Sequence, residues 1–415
     1  MKIRTLRSPC IQPNRVVIGV DVAKSECVAV AQTADGGVTK PLKFDTNRNG
    51  FERLRTFAQR VMEAKRSEDF VVALEPTGHY GVPLVKWLRD QGIEVMRVEA
   101  LHTNRFKELV DGTRRKTDAK DAATIAMLCR NGTYRPFRLL EGAYAELRVL
   151  SRRREQLVKQ RSQATNRMHR HLDEVFPELP KLFDRMGPTL LTLLKAASSP
   201  QTVLEMPVGQ LATLLSKASR GNLGLERAQE IREAAETSVG SSTAAKAHRL
   251  AIRQLVDDLQ HLRGQIVEVE GEMKARLSQV PYAAELLSIP RLGAITLATL
   301  LGELGDLRDF DRAEKLIKHA GLDLVETSSG KRRGQRHISR RGRRYARQML
   351  FLAALRMGGR FAAARQRLLA RDKLPMVAAV ANMCRLLRVM HAIVRDGVCY
   401  DPAHGQPEPE VALAA

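Results

Sequence analysis

Four carboxylates in the first third of the chain have a spacing that suits metal binding: Asp21, Glu75, Asp118 and Asp121. Asp21 lies in a β-branched run, residues 16–22, and Glu75 closes a second such run, residues 71–75, so both runs are predicted strands. The last two acids are three residues apart at the start of a helical stretch and project from one face. Two strand ends and one helix turn can bring hard oxygen ligands together around Mg²⁺. Two such ions about 3.5–4 Å apart would stabilise the attacking and leaving oxygens of a phosphodiester.

Each acid alone also has a simpler interpretation. Asp21 can be hydrogen-bonded locally within its strand, and Glu75, which precedes Pro76, can be only a strand terminus. Asp118 can be a helix N-cap, with Asp121 in the favourable first turn. The joint order is harder to explain in this way, because it is the order of the metal ligands in an RNase H-like nuclease. We therefore predict a nuclease-type Mg²⁺ site.

The charge balance indicates a polyanionic partner. The chain has 69 Lys and Arg against 46 Asp and Glu, a net charge of +23 and a pI near 10.3. Nucleic acid and an anionic membrane surface both fit such a balance. No apolar run approaches the roughly 18 residues needed to span a bilayer, and the first residues lack the apolar core of a signal peptide. We predict nucleic acid as the partner and no membrane.

The five cysteines are scattered, without Cys-x-x-Cys or Cys/His ligand spacing. The pattern argues against a zinc site or a disulfide framework and favours a reducing cytoplasm, where the protein would be associated with the nucleoid. Aromatic residues make up only 4% of the chain, so phosphate contacts are expected to dominate over base stacking.

The elements that must position the acids fall in residues 14–140, where strands and helices alternate. Residues 26–31 are a predicted hairpin partner of the first strand, residues 81–91 a helix and residues 93–98 a further strand. The expected fold is a mixed α/β layer with helices covering a sheet. A short basic run precedes the helical acids and is either a phosphate contact or a solvated loop: Arg114, Arg115 and Lys116.

Residues 141–280 are predicted to be almost wholly helical and to form a coiled-coil arm with an insert. The clearest seam has apolar positions that alternate three and four residues apart: Ile252, Leu255, Leu259, Leu262, Ile266, Val269 and Met273. A basic helix precedes it, and prolines and glycines from Pro177 to Gly224 interrupt the region between. The two long helices can pair within one chain, or one can pair with its copy in a second chain.

Residues 281–400 are predicted to form a compact, mostly helical domain. Its early segment, residues 289–296, resembles a helix–hairpin–helix turn whose amides grip a phosphate, although Arg291 stands where a first glycine is usual. An ordinary turn between helices is the alternative. The flanking segments, residues 1–13 and the Pro- and Ala-rich 401–415, are predicted to be a loose N-terminus and a disordered tail.

A dense basic run with interspersed glycines follows in this domain. Nine Lys and Arg and no acid lie between Lys331 and Arg347, which favours a phosphate-binding surface over a merely solvated face. The members that we assign to nucleic-acid binding are Lys331, Arg332, Arg333, Arg336, Arg340, Arg341, Arg343 and Arg344. Ser328 and Ser329 precede the run, and a serine hydroxyl among guanidiniums can attack a phosphodiester. Ser339, within the run, is interpreted as a helix N-cap or a phosphate contact.

The motifs together resemble the transposases of the IS one-ten (IS110) insertion-sequence family, the RNA-guided DEDD recombinases. The segments that carry the resemblance run in the family order and cover most of the chain: residues 19–24, 74–80, 116–122, 289–293, 328–330 and 338–342. A single glycine follows Ser329 where many members have two. Each motif is modest alone, but the set is specific.

The resemblance implies a RuvC-like domain joined to a C-terminal transposase domain through a coiled coil. Asp21, Glu75, Asp118 and Asp121 would bind Mg²⁺, and Ser329, with Ser328 as the alternative, would be the nucleophile that becomes linked to a DNA 5′-phosphate. It further implies a noncoding bridge RNA that pairs with donor and target DNA, and a homo-oligomer organised as a dimer of dimers. Delegating sequence choice to RNA suits a protein rich in phosphate-binding cations.

Two other classes of protein remain open from the residues. A hydrolytic RuvC-like nuclease, such as a junction resolvase, would use the same quartet with water and would make Ser329 dispensable. A non-catalytic coiled-coil protein that binds nucleic acid would need only the cations, so replacement of Asp118 would leave its function intact.

Overall fold

The computed structural model describes residues 11–12, 14–76, 78–111, 117–329 and 332–403. The chain divides between Leu139 and Leu140 into two compact units. Most of the predicted loose N-terminus and most of the predicted tail lie outside the described residues, as do Arg114, Arg115, Lys116 and Lys331.

The first unit is a mixed α/β layer, as the alternating pattern predicts. Its six strands are β1 Arg15–Asp21, β2 Glu26–Gln32, β3 Leu42–Asp45, β4 Asp69–Leu74, β5 Val95–Arg97 and β6 Arg135–Pro136. Its four helices are α1 Arg48–Ala64, α2 Gly81–Asp90, α3 Ala100–Asp111 and α4 Asp118–Arg130. The sheet order is β3-β2-β1-β4-β5-β6, with β1, β4 and β5 parallel and the other pairs antiparallel.

Both faces of the central strand β1 are buried, which explains its continuous β-branched sequence. Val16, Ile18 and Val20 belong to one core that includes Leu54 of α1 and Leu84 of α2. Val17, on the opposite face, belongs to a second core with side chains of α4. Helices thus cover the sheet on both sides and fix the strand register, on which the positions of the acids depend.

The second unit is mainly helical. Its helices up to the C-terminal part are α5 Gly142–Val175, α6 Pro188–Ala196, α7 Pro200–Glu205, α8 Val208–Ser219, α9 Leu225–Glu236 and α10 Ala245–Leu277. Those that follow are α11 Ala283–Leu287, α12 Ala294–Leu304, α13 Ala313–Ala320, α14 Arg344–Arg356, α15 Gly359–Leu369 and α16 Pro375–Asp396. Two 3₁₀ turns, Leu179–Leu182 and Leu307–Asp309, and a hairpin of β7 Leu324–Ser329 and β8 Arg332–Ile338 complete it.

The two long helices α5 and α10 form an antiparallel pair within one chain. Arg154 Nε of α5 donates to Glu270 Oε1 of α10 at 2.6 Å, and His171 Nδ1 of α5 lies 3.1 Å from His248 Nδ1 of α10. The predicted seam of α10 is buried apart from the half-buried Val269. Of the two pairings that the sequence leaves open, the described structure therefore contains the intramolecular one, while a coiled-coil arm in the strict sense stays a prediction.

The C-terminal part contains the turn that resembles a helix–hairpin–helix, between α11 and α12. Arg291 in this turn has a φ of +63°, a left-handed conformation that favours glycine. Its Nη1 donates to the carbonyl oxygen of Arg356 at 3.2 Å. Arg291 therefore replaces the usual glycine at a position whose backbone conformation favours glycine. Phosphate binding by this turn stays a prediction.

The helix α16 is long and apolar enough to cross a membrane by length and composition alone. This differs from the expectation that no apolar run approaches such a length. Half of its apolar window is buried inside the protein, and Leu386, Leu387 and Met390 belong to the largest core of the second unit. It packs as a core helix, so no membrane association is implied.

Candidate active site and nucleic-acid interface

Asp21 and Glu75 follow paired positions on two neighbouring parallel strands. Val20 of β1 is in register with Leu74 of β4, and each acid is the next residue along its chain. Since the carboxyl ends of parallel strands meet at the same edge of a sheet, the two acids belong to one edge. The sequence could predict the two strand ends, but their adjacency depends on the strand order.

The other two acids lie in the first turn of α4. Thr117 is its N-cap and accepts a hydrogen bond from the backbone N–H of Lys120 at 3.3 Å. The interpretation of Asp118 as the N-cap is therefore wrong, because the residue before it performs that role and Asp118 is the first helical residue. Asp118 is exposed, whereas Asp121, one turn later, is only 5% exposed. The carboxylate of Asp118 thus faces solvent, whereas that of Asp121 is buried.

A close crossing of α4 over β1 holds this turn beside the sheet. A Cβ atom placed on Gly19 would lie 2.1 Å from the carbonyl oxygen of Ala122 and 2.6 Å from the backbone nitrogen of Ala126. Only glycine permits this approach. Gly19 precedes Asp21 by two residues and Ala122 follows Asp121 directly, so the crossing brings both acid-bearing segments together.

A buried threonine orients one of the four acids. Thr103 of α3 is 1% exposed, and its hydroxyl donates to Glu75 Oε2 at 2.5 Å. Sequence reasoning missed Thr103 because a single threonine in a helical stretch carries no signal of its partner 28 positions earlier. It also missed Gly19, although a glycine within a β-branched run is a recognisable sign of close backbone approach.

The four acids fit Mg²⁺ by their chemistry, because carboxylate oxygens are the protein ligands that this ion prefers. The edge defined by β1, β4 and α4 is also consistent with a shared site. Within the described residues, however, no group of three or more His, Cys, Asp or Glu side chains is arranged to hold a metal ion. Metal binding by Asp21, Glu75, Asp118 and Asp121 therefore remains a proposal about these residues.

The serine motif lies on the β7–β8 hairpin. The backbone of Ser329 pairs with that of Arg332, after a register shift that begins at Thr327. The side chains of Ser328, Ser329, Arg332 and Arg333 lie outside the described part of the structure. The sequence did not predict this hairpin, because β8, Arg332–Ile338, is polar along most of its length and lacks an apolar alternation.

The described cations of the basic run lie on β8, on the segment that leads into α14 and in the first turn of α14. Arg336 Nε forms an ion pair with Glu326 Oε2 at 3.0 Å, and Arg340, Arg341 and Arg344 are exposed. Burial, followed by the nearby charges of Arg340 and Arg344, lowers the pKa of Arg347. Guanidiniums are therefore concentrated here, which is the electrostatic requirement for binding phosphate.

The interpretation of Ser339 as a helix N-cap is wrong. The helix α14 begins at Arg344 with Arg343 as its N-cap, four residues after Ser339. The Ser339 hydroxyl instead donates to Asp323 and accepts from the backbone N–H of Arg341, at 3.3 Å. It closes the base of the hairpin.

Two family models match separate parts of the chain. A DEDD transposase model of the IS110 type matches residues 18–177, and the model described as "Transposase IS116/IS110/IS902 family" matches residues 283–369. The first contains all four acids, and the second contains the hairpin with both serines. A basic chain with an acidic sheet edge, matched in this way, is a transposase.

Curated proteins that are similar to this chain agree with the two family models. The uncharacterized 43.6 kDa protein of insertion element IS110 from Streptomyces coelicolor is 28% identical over 397 residues, covering 93% of this chain and 95% of the relative. The uncharacterized 42 kDa protein of insertion element IS900 from Mycobacterium paratuberculosis is 30% identical over 302 residues, covering 69% and 73%. The chain belongs to the IS110 family of insertion-sequence transposases, which confirms the resemblance drawn from its motifs.

Solved structures of RuvC are similar to part of this chain. The Thermus thermophilus RuvC structure with a Holliday junction substrate is 14% identical and covers 30% of this chain and 99% of RuvC, with a TM-score of 0.22. A second T. thermophilus RuvC structure is 16% identical with the same TM-score. At that score, the likeness supports no conclusion about the mechanism of this chain.

Proposed function

We propose that this transposase cuts and rejoins DNA strands through a serine nucleophile with Mg²⁺ assistance, guided by a bridge RNA. Ser329 is the proposed nucleophile and Ser328 the alternative. The observation that carries the proposal is the pairing of two features in one IS110-family chain. The first unit has two acids at one sheet edge and two more in the first turn of α4, and the second unit has a serine on an arginine-rich hairpin.

The proposed division of labour follows the domain boundaries predicted from the sequence. Residues 14–140 would be the RuvC-like DEDD nuclease domain, residues 141–280 the helical arm with its insert, and residues 281–400 the transposase domain. The separation of the chain between Leu139 and Leu140 supports the first boundary. The active form would be a homo-oligomer, a dimer of dimers, bound to element-end DNA, target DNA and bridge RNA.

The chemistry conserves the energy of the phosphodiester. The serine oxygen would form a bond to phosphorus while the bond from phosphorus to the 3′-oxygen breaks, which leaves a free 3′-hydroxyl and a 5′-phosphoserine ester. A 3′-hydroxyl of another strand would then attack that ester and release the serine. Arginines of the hairpin would stabilise the charge that develops on the phosphate oxygens. No high-energy cofactor is needed, because one phosphate ester replaces another.

The acids Asp21, Glu75, Asp118 and Asp121 would hold the metal. Bound Mg²⁺ would supply a Lewis acid for the phosphate oxygens, and a pair of ions would suit both the attacking and the leaving oxygen. Asp121 would enter the site already desolvated, and Thr103 would hold Glu75 in one orientation.

The serine mechanism predicts a covalent adduct between protein and DNA. With Mg²⁺, co-purified RNA and labelled element-end DNA, wild-type protein should give a band of protein-linked DNA on a denaturing gel. Ser329→Ala should abolish this band, and Ser328→Ala should retain it, because only the attacking oxygen is indispensable. An adduct that survives Ser329→Ala but not Ser328→Ala would identify Ser328 as the nucleophile.

The same gel distinguishes the serine mechanism from the second candidate function, hydrolysis of DNA by a RuvC-like nuclease. Strand cleavage without any adduct in the wild type would contradict the serine mechanism and favour hydrolysis by a RuvC-like nuclease. The quartet is the observation that supports this candidate, since it suits activation of water as well as of serine.

Thr103→Val should weaken metal-dependent cleavage, because it removes the hydroxyl that orients Glu75 while keeping the shape of the side chain. Loss of such an outer hydrogen bond to a metal ligand typically lowers metal affinity or activity about 10–100-fold. We expect the Mg²⁺ concentration for half-maximal cleavage to rise, and Thr103→Ser to restore it. An unchanged Mg²⁺ dependence in Thr103→Val, with the protein fully folded, would mean that the Thr103 hydroxyl does not position a metal ligand.

A further inference from the structure

A groove whose lining includes four arginines opens in the second unit where α5, α10 and the start of α6 meet. Its volume is about 430 Å³. The charged residues that line it are Arg154, Arg161, Arg185, Arg263 and Glu270. Glu270 is already bonded to Arg154, at 2.6 Å. The other three guanidiniums form no ion pair with a carboxylate within the described residues, so the groove has an excess of positive charge.

The position of Arg263 is fixed despite this excess. Its Nη2 donates to the carbonyl oxygen of Met186 at 2.5 Å, and the residue is half-buried on α10. Burial, and then the positive charges of Arg161 and Arg185, lower the pKa of Arg263. Guanidiniums that lie close together repel one another and therefore favour the binding of an anion. A bound anion offsets the repulsion and accepts their hydrogen bonds.

The start of α6 contributes to the same groove. Gly187, its N-cap, and Pro188, its first residue, both line the groove. No side chain caps this nine-residue helix, and its first turn contains no acid. The positive end of the helix therefore adds to the field of the arginines.

The chemistry of the lining selects the class of ligand. Besides Gly187 and Pro188, the uncharged residues that line the groove are Ile266 and Val267, and none of the described residues that line it is aromatic. Planar guanidiniums match the oxygens of a phosphate, whereas the groove offers no ring on which a base can stack.

We propose that this groove binds a phosphate of a nucleic-acid backbone and so anchors DNA or RNA on the helical arm. The inference deepens the proposed function and rests on it, because it requires a nucleic-acid partner. It adds a binding site that the basic hairpin and the acidic edge do not include.

The test compares two pairs of substitutions with the same change in charge. Arg161→Gln with Arg185→Gln removes two groove cations and spares Arg263, which holds the Met186 backbone. Arg153→Gln with Arg167→Gln removes two exposed arginines of α5 that do not line the groove. Binding of a labelled DNA duplex and of a labelled RNA hairpin is measured across a salt series on the full chain.

The groove variant should bind about 10-fold more weakly or worse, and the slope of log K against log salt should shrink by about 1–2. The control should change both quantities much less. Weakening with only one of the two probes would identify the backbone that the groove holds. Affinity and slope equal to the control with both probes would overturn the proposal.

A second readout needs no nucleic acid. At constant ionic strength, replacing chloride by sulfate should raise the Tm of the wild type and of the control more than that of the groove variant. Sulfate stabilises folded proteins in general, and a specifically bound anion adds to that stabilisation. An equal sulfate response in all three proteins would also overturn the proposal.

The covalent-adduct gel keeps the two proposals distinguishable. A missing wild-type adduct together with groove-dependent binding would contradict the serine mechanism and support the proposal about the groove. A normal adduct together with unchanged binding by the groove variant would contradict only the proposal about the groove.

Discussion

Asp118→Ala is expected to abolish strand cleavage while leaving the fold and the binding of DNA almost unchanged. A metal ligand that stabilises transition-state charge is worth several kcal/mol, so we expect the rate of cleavage to fall by about 10³-fold or more. Asp118 is exposed at the first position of α4, and its interaction with the helix dipole is worth only about 0.3–1 kcal/mol. The Tm should therefore hardly move.

The matched control for this substitution is Asp90→Ala. Asp90 is an exposed acid of the same unit, at the last residue of α2, and its ion pair with Lys86 at 2.9 Å is a weak surface pair. Cleavage rate, DNA affinity and Tm are measured for both variants. Cleavage by Asp118→Ala at the rate of Asp90→Ala would show that Asp118 is not a catalytic metal ligand, whereas the absence of cleavage in wild type and both variants would favour the purely binding protein.

Much of the first unit could be predicted because its signals are local. The β-branched run around Ile18 gives β1, the next run gives the antiparallel β2, and residues 81–91 match α2 closely. The order of the four acids along the chain predicts one shared site, and this stays a prediction. These features depend on periodicity and on turn residues, which a single sequence displays.

The remaining features depend on residues far apart in the chain. The hydrogen bond of Thr103 to Glu75 and the closeness of Gly19 to α4 arise only when the sheet order brings their elements together. The same holds for Arg161 and Arg263, which meet only because α5 and α10 pair within one chain. Apolar seams on two helices show that each helix needs a partner but do not identify that partner.

The β7–β8 hairpin shows another limit. Its strands carry serines, arginines and glycine instead of alternating apolar residues, so its pattern is that of a polar loop. Under the proposed function this hairpin would present a nucleophile to a phosphate, which requires polar residues. Such residues do not show the apolar alternation that predicts a strand.

Gly19→Ala is expected to damage both the stability of the first unit and the geometry of the proposed site. The added Cβ would meet the backbone of α4 at 2.1 Å and 2.6 Å, and neither atom belongs to a flexible side chain that can move aside. Forcing extra volume into a packed contact costs about 1–3 kcal/mol, and the helix must shift away from β1 to relieve it. Such a shift carries Asp118 and Asp121 away from Asp21.

Stability and geometry are separable in this variant. Gly81→Ala is the control, because a Cβ at Gly81 would make only ordinary contacts, with Leu74 Cδ1 at 3.6 Å and Val22 Cγ1 at 4.0 Å. The measurements are Tm, and cleavage at a temperature where both variants are folded. We expect Gly19→Ala to cleave about 10²-fold more slowly under those conditions, since a displacement of about 1 Å suffices for such a loss. A lower Tm with normal cleavage would make the crossing of α4 a matter of packing alone, whereas slow cleavage by folded protein would show that the crossing sets the positions of the acids.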